Sequence, residues 1–241
     1  MTTTTHPDQM LLPGQAAAPG GPADMTMMYV MHHAFRRDLG RFTDAVAATP
    51  LDDRATWQAL AARWDRFFEI LHHHHAAEDE LIWPFLMERA DATEQQTLQA
   101  MEDEHGQIDP LLKSVADGFS ALGGDRLPAG GEELRATLAV RVAATQDLLA
   151  RHLAHEETDA IAILQRHTTE ASWKAIEEQI GKRKSSVSLF YMVGWCAEQV
   201  PARQLDEVFA LVGTPMKVLW WLCRGSFRRG ERAAFRYGGV R

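Results

Sequence analysis

The sequence predicts an all-α protein, an antiparallel up-down-up-down four-helix bundle followed by a C-terminal helical extension. Three observations carry that prediction. From Met25 onward, four consecutive stretches repeat apolar residues at the three-and-four spacing of an amphipathic helix. Short stretches rich in turn formers separate them, which favours antiparallel neighbours. The composition, 46% apolar in 241 residues with 17 Gly and 10 Pro, is that of a globular chain with a core of its own.

Residues 1–24 are rich in Thr, Pro, Gly and Ala and lack periodicity, so they are expected to be a disordered lead-in. The bundle is expected over residues 25–168. Its first helix has a buried seam of Met28, His32, Phe35, Leu39, Phe42 and Val46. The second, with Asp52 as its N-cap, has Trp57, Leu60, Trp64, Phe67, Leu71, His74, Glu78 and Leu81 before Pro84 kinks or ends it. The third follows a capping-box pattern from Thr93 to Gln96 and presents Leu98, Met101, His105, Ile108, Leu112, Val115 and Phe119. After a loop over 121–131, the fourth presents Leu134, Leu138, Val142, Thr145, Leu149, His152, Glu156, Ala160 and Ile163. Residues 169–241 form the extension, with short helices expected at 172–182, 187–200, 202–212 and 216–235. This part holds four of the seven Trp and both Cys, and ends in a basic tail.

Histidine is the residue out of proportion. Of 11, nine fall in four clusters: His32 and His33, the run His72 to His75, His105, and His152 with His155. A single seam histidine is ordinarily a satisfied core residue, but here all four seams carry one. Glu78 and Glu156 share the seams, and a buried carboxylate needs a compensating cation that no seam Lys or Arg supplies. Four imidazoles and two carboxylates converging inside a bundle make a metal site. Two six-coordinate irons bridged by both carboxylates use that donor set, whereas a single tetrahedral zinc leaves two ligands over. The heights agree in part. His105 and the His74–Glu78 pair each lie about 14 residues from the turn near 89–92, whereas His32 and His152 differ by roughly two turns. His33, His72, His73 and His75 fall off the seam and read as solvated or outer residues, and His75 could orient a ligand by a hydrogen bond.

The segments MHHAFRRDL, HHHHAAEDELIWP, EDEHGQI and HLAHEE, over about residues 28–160, resemble the hemerythrin-like, or HHE cation-binding, family. The resemblance implies a ligand set of His32, His74, Glu78, His105, His152 and Glu156, the six residues that periodicity selects. It implies two iron ions joined by an oxo or hydroxo bridge and by carboxylates, with a diatomic gas or peroxide as ligand. The third helix departs from the oxygen carriers, because only His105 stands where two histidines four apart are expected. The vacant position is open to Asp109, His155, Tyr29 or water. Glu156 and Glu157 compete for the bridge on the fourth helix, and seam position favours Glu156.

The implied function is a non-haem di-iron protein that binds oxygen, nitric oxide or peroxide for sensing or detoxification. A peroxide-decomposing or oxidase-type enzyme and a metal-stapled interaction module are the alternatives. A net charge of −8 argues against a nucleic-acid partner. Cys196 and Cys223 have no CxxC spacing, no apolar run approaches a membrane span, and MTTTTHPDQM lacks the features of a secretion signal, so a cytoplasmic protein is expected. Six Arg beyond residue 223, next to a Trp-rich helix, allow peripheral contact with anionic lipid, although packing of those tryptophans on the bundle is the favoured expectation.

Overall fold

The computed structural model describes residues 8–126 and 129–238. Every regular element among them is a helix: α1 (Thr26–Ala48), α2 (Arg54–Ala77), α3 (Trp83–Met87), α4 (Ala92–Gly123), α5 (Gly131–His155), α6 (Ile161–His167), α7 (Glu170–Ile180), α8 (Leu189–Ala197), α9 (Ala202–Val212) and α10 (Thr214–Ala234). Five-residue π turns, Glu78–Ile82 and Glu156–Ala160, join α2 to α3 and α5 to α6. Pro84 therefore does not end the second helix. It sits in the first turn of α3, where a missing N–H costs little, and the widened turn before it absorbs the misfit.

The caps differ from expectation by a residue or two. Asp53, not Asp52, caps α2, because its carboxylate accepts from the Thr56 N–H. The capping box of α4 is Asp91 with Glu94, each side chain accepting from the other's backbone.

Two apolar clusters define the core, and each long helix passes from one to the other. Along α1, Tyr29 lies in the first cluster and Phe35 in the second, with His32 between them. The order reverses on α2, where Leu71 precedes His74 and Glu78, and Ile82 follows. On α4 the order is Met101, His105, Ile108, and on α5 and its continuation it is Leu149, His152, Glu156, Ala160. Successive long helices thus run in alternating directions. α2 packs on α4, α4 on α5 and α5 on α1. The polar residues form one layer between two dry ones. Since α5 continues through its π turn to His167, the offset between His32 and His152 is taken up: both reach that layer.

The lead-in is not disordered over residues 8–24. Met10, Leu12 and Ala23 are buried. The Gln9 amide donates to the Ala23 carbonyl and accepts from the Met25 N–H, and Gln165 bonds Ala23 in the same two ways. An aperiodic segment pinned by side-chain-to-backbone bonds leaves no periodic signature in the sequence. Residues 1–7 of that expectation lie outside the described residues.

The extension folds against the long helices. Trp195 of α8 is fully buried on Phe35, with ring centroids 5.2 Å apart, and its Nε1–H donates to Asp38 Oδ2 at 2.7 Å. Phe227 of α10 and Phe235 just beyond it enter the core that contains Phe42 and Trp64. Glu231 of α10 accepts from Arg63 Nε at 2.6 Å and also pairs with Arg41. These are buried ion pairs, so removing one partner strands charge. Glu231→Gln should cost about 3 kcal/mol, lowering the melting temperature by roughly 6–12 °C in a chain of this size. Calorimetry showing no change would mean that the Glu231 ion pairs add nothing to the fold.

Candidate metal centre

Both His-x-x-x-Glu pairs end where a helix widens. Glu78 and Glu156 are the first residues of the two π turns, a local geometry frequent at functional sites. Each turn presents two consecutive acids in different directions. The first acid enters the inner layer, and the second reaches a histidine of a neighbouring helix. Thus Glu78 faces inward while Asp79 Oδ1 lies 2.8 Å from His105 Nδ1. Likewise Glu156 faces inward while Glu157 Oε1 lies 2.9 Å from His32 Nδ1.

The inner atoms converge. His32 Nε2 is 3.3 Å from His74 Nε2 and 3.2 Å from Glu156 Oε2. His74 Nε2 is 3.1 Å from Glu78 Oε1, and His105 Nε2 is 3.5 Å from Glu78 Oε2. His105 Nε2 and His152 Nε2 are 3.2 Å apart, and His152 Nε2 is 3.9 Å from Glu156 Oε2. The donors form two groups: His32, His74, Glu78 and Glu156, and beside them His75, His105 and His152. Within each, the ligand atoms lie within 4.8 Å of one another.

The outer hydrogen bonds prepare these nitrogens for a cation. Glu157, Asp79 and Glu104 each face a histidine Nδ1, with Glu104 Oε2 2.8 Å from His152 Nδ1. A carboxylate there holds a proton on Nδ1 and turns the Nε2 lone pair inward, as in carboxylate–histidine–metal arrangements. Arg36 fixes Glu157 in turn through two bonds of 2.7 and 2.8 Å. The Glu156 and Glu157 alternatives separate on this geometry: Glu156 joins the inner group, and Glu157 clamps His32 from outside.

The electrostatics of the protein alone show what the layer lacks. Burial opposes charge on His32, but Glu156 and then Glu157 outweigh it and raise its pKa to about 9. Burial, reinforced by His32, pushes His74 down to about 3. His75 is held well below the usual histidine range, chiefly by burial. Glu78 is pushed well above the carboxylate range by burial and then by Glu156, whereas for Glu156 the attraction of His32 overcomes burial and lowers it to about 2. Both carboxylate oxygens of Glu78 and of Glu156, and both ring nitrogens of His75, are buried without a hydrogen-bond partner. Seven donors facing one another, several of them unsatisfied, fit a cation.

All six sequence-selected residues meet in this layer. None of the side chains expected for the vacant position belongs to either donor group. Asp109 is 41% exposed and pairs with the exposed His72, and His155 turns outward to Glu104 Oε1 at 2.9 Å. Tyr29 is buried with an unpartnered hydroxyl, whose pKa is raised by that burial and then by the charges of Glu157 and Glu156, but it stands outside both groups. The residue the sequence missed is His75, which is 2% exposed and stacks on His105 with centroids 4.0 Å apart. A seam analysis keeps one residue per turn. Adjacent residues on a helix point about 100° apart, so His74 can turn to α1 while His75 turns to α4. The overlapping spacings His74–Glu78 and His75–Asp79 in HHHHAAEDE were the available signal.

The hemerythrin HHE cation binding domain matches residues 23–164, the span from just before α1 to α6. No curated protein and no solved structure matches. A family match over more than half of the chain, enclosing every residue of the inner layer, is decisive, and the chain belongs to the hemerythrin HHE cation-binding family.

Proposed function

We propose that this chain is a non-haem di-iron protein, built on an antiparallel four-helix bundle, that binds oxygen, nitric oxide or peroxide for sensing or detoxification. The observation that carries the reading is a group of His32, His74, Glu78 and Glu156 beside a group of His75, His105 and His152, with Glu78 3.5 Å from His105 and Glu156 3.9 Å from His152. In this reading His32 and His74 hold one iron, His75, His105 and His152 hold the other, and Glu78 and Glu156 lie between them. The imidazole absent from α4 is supplied by α2.

An iron pair so held supplies redox chemistry and an affinity for small oxidants. The protein's own part is to hold and to exclude. Glu157, Asp79 and Glu104 keep their protonated Nδ1 partners in one orientation. Phe35, Phe67, Leu71 and Leu149 are fully buried and dry the layer on one side, with Phe35 5.2 Å from the His74 ring. On the other side Tyr29, Met101 and Ala160 close it. Uncharged diatomics cross such walls more readily than ions, which favours a gas or peroxide over a charged substrate. Cys196 and Cys223 are both free, in keeping with a reducing cytosol.

Protein purified from iron-replete cells should contain about two iron atoms per chain and absorb in the near ultraviolet by charge transfer, because its donor set fills most of two coordination spheres. Adding oxygen or peroxide to the reduced protein should change that spectrum. One zinc and no iron by elemental analysis would sink the reading.

A further inference from the structure

α10 has two apolar faces, and the fold covers one. Cys223, Phe227 and Ala234 are buried against the rest of the molecule. Val218 and Trp221, on the other side of the same helix, are 52% and 61% exposed, and Leu222, 58% exposed, stands at the edge of the groove that Cys223, Phe227 and Ala234 also line. The stripe extends onto α8, since Phe190, 55% exposed, and Leu222 line the same groove and Leu189 stands beside Phe190, also 55% exposed. Six of the nine exposed large hydrophobic residues among those described belong to α8, α9 and α10. A cluster of this kind marks an interaction surface.

Its charges say what covers it. Between Thr214 and Ala234 the helix carries Lys217, Arg224, Arg228, Arg229 and Arg232, and its one acid, Glu231, is buried in the pairs with Arg41 and Arg63. Lys217 and Arg228 have partners in Asp206 and Glu198, but Arg224, Arg229 and Arg232 form no ion pair among the described residues. A second copy of this chain on a two-fold axis would bring those arginines against their own kind. An anionic surface would neutralise them. Tryptophan and leucine on one face of a helix, with arginine beside them, suit the headgroup and acyl boundary of a bilayer. No helix of the described residues is long and apolar enough to cross a membrane, so the contact is peripheral.

We infer that the α8–α10 face docks this protein onto anionic lipid bilayers, with Trp221, Leu222 and Phe190 entering the interface and Arg224, Arg229 and Arg232 contacting headgroups. Packing on the bundle and attachment to lipid use different residues of one helix, Cys223, Phe227 and Ala234 for the first and Trp221 and Leu222 for the second. The inference does not rest on the iron reading, and each can fail alone.

The test is co-sedimentation of the full chain with vesicles of phosphatidylcholine containing about a third phosphatidylglycerol, against vesicles of phosphatidylcholine alone. The protein should sediment with the anionic vesicles at low salt and be released by salt. Trp221 emission should shift to the blue on binding. Arg224→Gln, Arg229→Gln and Arg232→Gln should each weaken partition about fivefold. The double substitution Trp221→Ser, Leu222→Ser should weaken it at least tenfold while circular dichroism and melting stay unchanged. If that pair disturbs the fold, the arginine variants decide. Absence of sedimentation at low salt overturns the inference, as does equal partition of the variants or of neutral vesicles. A dimer in solution that Trp221→Ser abolishes also overturns it, because the face would then be a contact between copies.

Discussion

Glu78→Ala or Glu156→Ala should empty the inner layer of iron, from about two atoms per chain to a small fraction of one, because each carboxylate approaches a histidine of both groups: Glu78 lies 3.1 Å from His74 and 3.5 Å from His105, and Glu156 3.2 Å from His32 and 3.9 Å from His152. Losing an outer partner of a metal ligand typically costs 10–100-fold in affinity, and losing a donor shared by two ions should cost more. His105→Ala, which removes a ligand of one ion, should lose less. His72→Ala is the control, since that side chain is 62% exposed and faces Asp109. Stability should move the other way in metal-free protein. Glu78 is buried, with its pKa held well above the ordinary range and both oxygens unpartnered, so replacing it removes a cost. Metal-free Glu78→Ala should melt no lower than metal-free wild type, although it binds almost no iron. The two readouts separate a ligand from a structural carboxylate. Retention of both irons by either variant would refute the bridging assignment.

The repeating seam made most of the fold legible. Each long helix carries its histidine between apolar residues at regular spacing, so the same count that located the core located the interruption in it. Ala202–Val212 falls within the bounds expected for α9, because Pro201 and Gly213 punctuate both ends. What escaped was whatever lacks a period. Residues 8–24 hold their place through Gln9, Gln15 and Gln165 bonding backbone groups, which no composition rule anticipates. The π turns escaped as well, since a helix read at a uniform 3.6 residues per turn cannot show that Glu78 and Asp79 serve different partners. Their consequence was visible without a cause: consecutive acids follow two of the four histidine clusters, EDE after HHHHAA and EE after HLAH. The hydrogen bonds of Asp79 and Glu157 explain why the second acid is there.

His75→Ala should lower the iron content from about two atoms per chain to about one, leaving the His32–His74 group filled. The argument is one of donors. Without His75 the second group keeps only His105 and His152 as imidazoles, and neither Asp109 nor His155 belongs to either donor group. The alternative role for His75 is packing, since it stacks on His105 at 4.0 Å and lies 5.4 Å from the His152 ring. A packing role does not explain a buried imidazole with both nitrogens unpartnered, because satisfying neither costs on the order of 1–3 kcal/mol per group. Rescue separates the two roles. The substitution leaves an imidazole-sized space beside His105, so millimolar imidazole should restore the second iron and the spectrum, while toluene of similar size should not. His75→Phe fills the space without a nitrogen and should stay at one iron even with imidazole present. Two irons in His75→Ala without rescue, or equal recovery with toluene, would show that the fifth imidazole is a packing residue and that the second ion completes its coordination elsewhere.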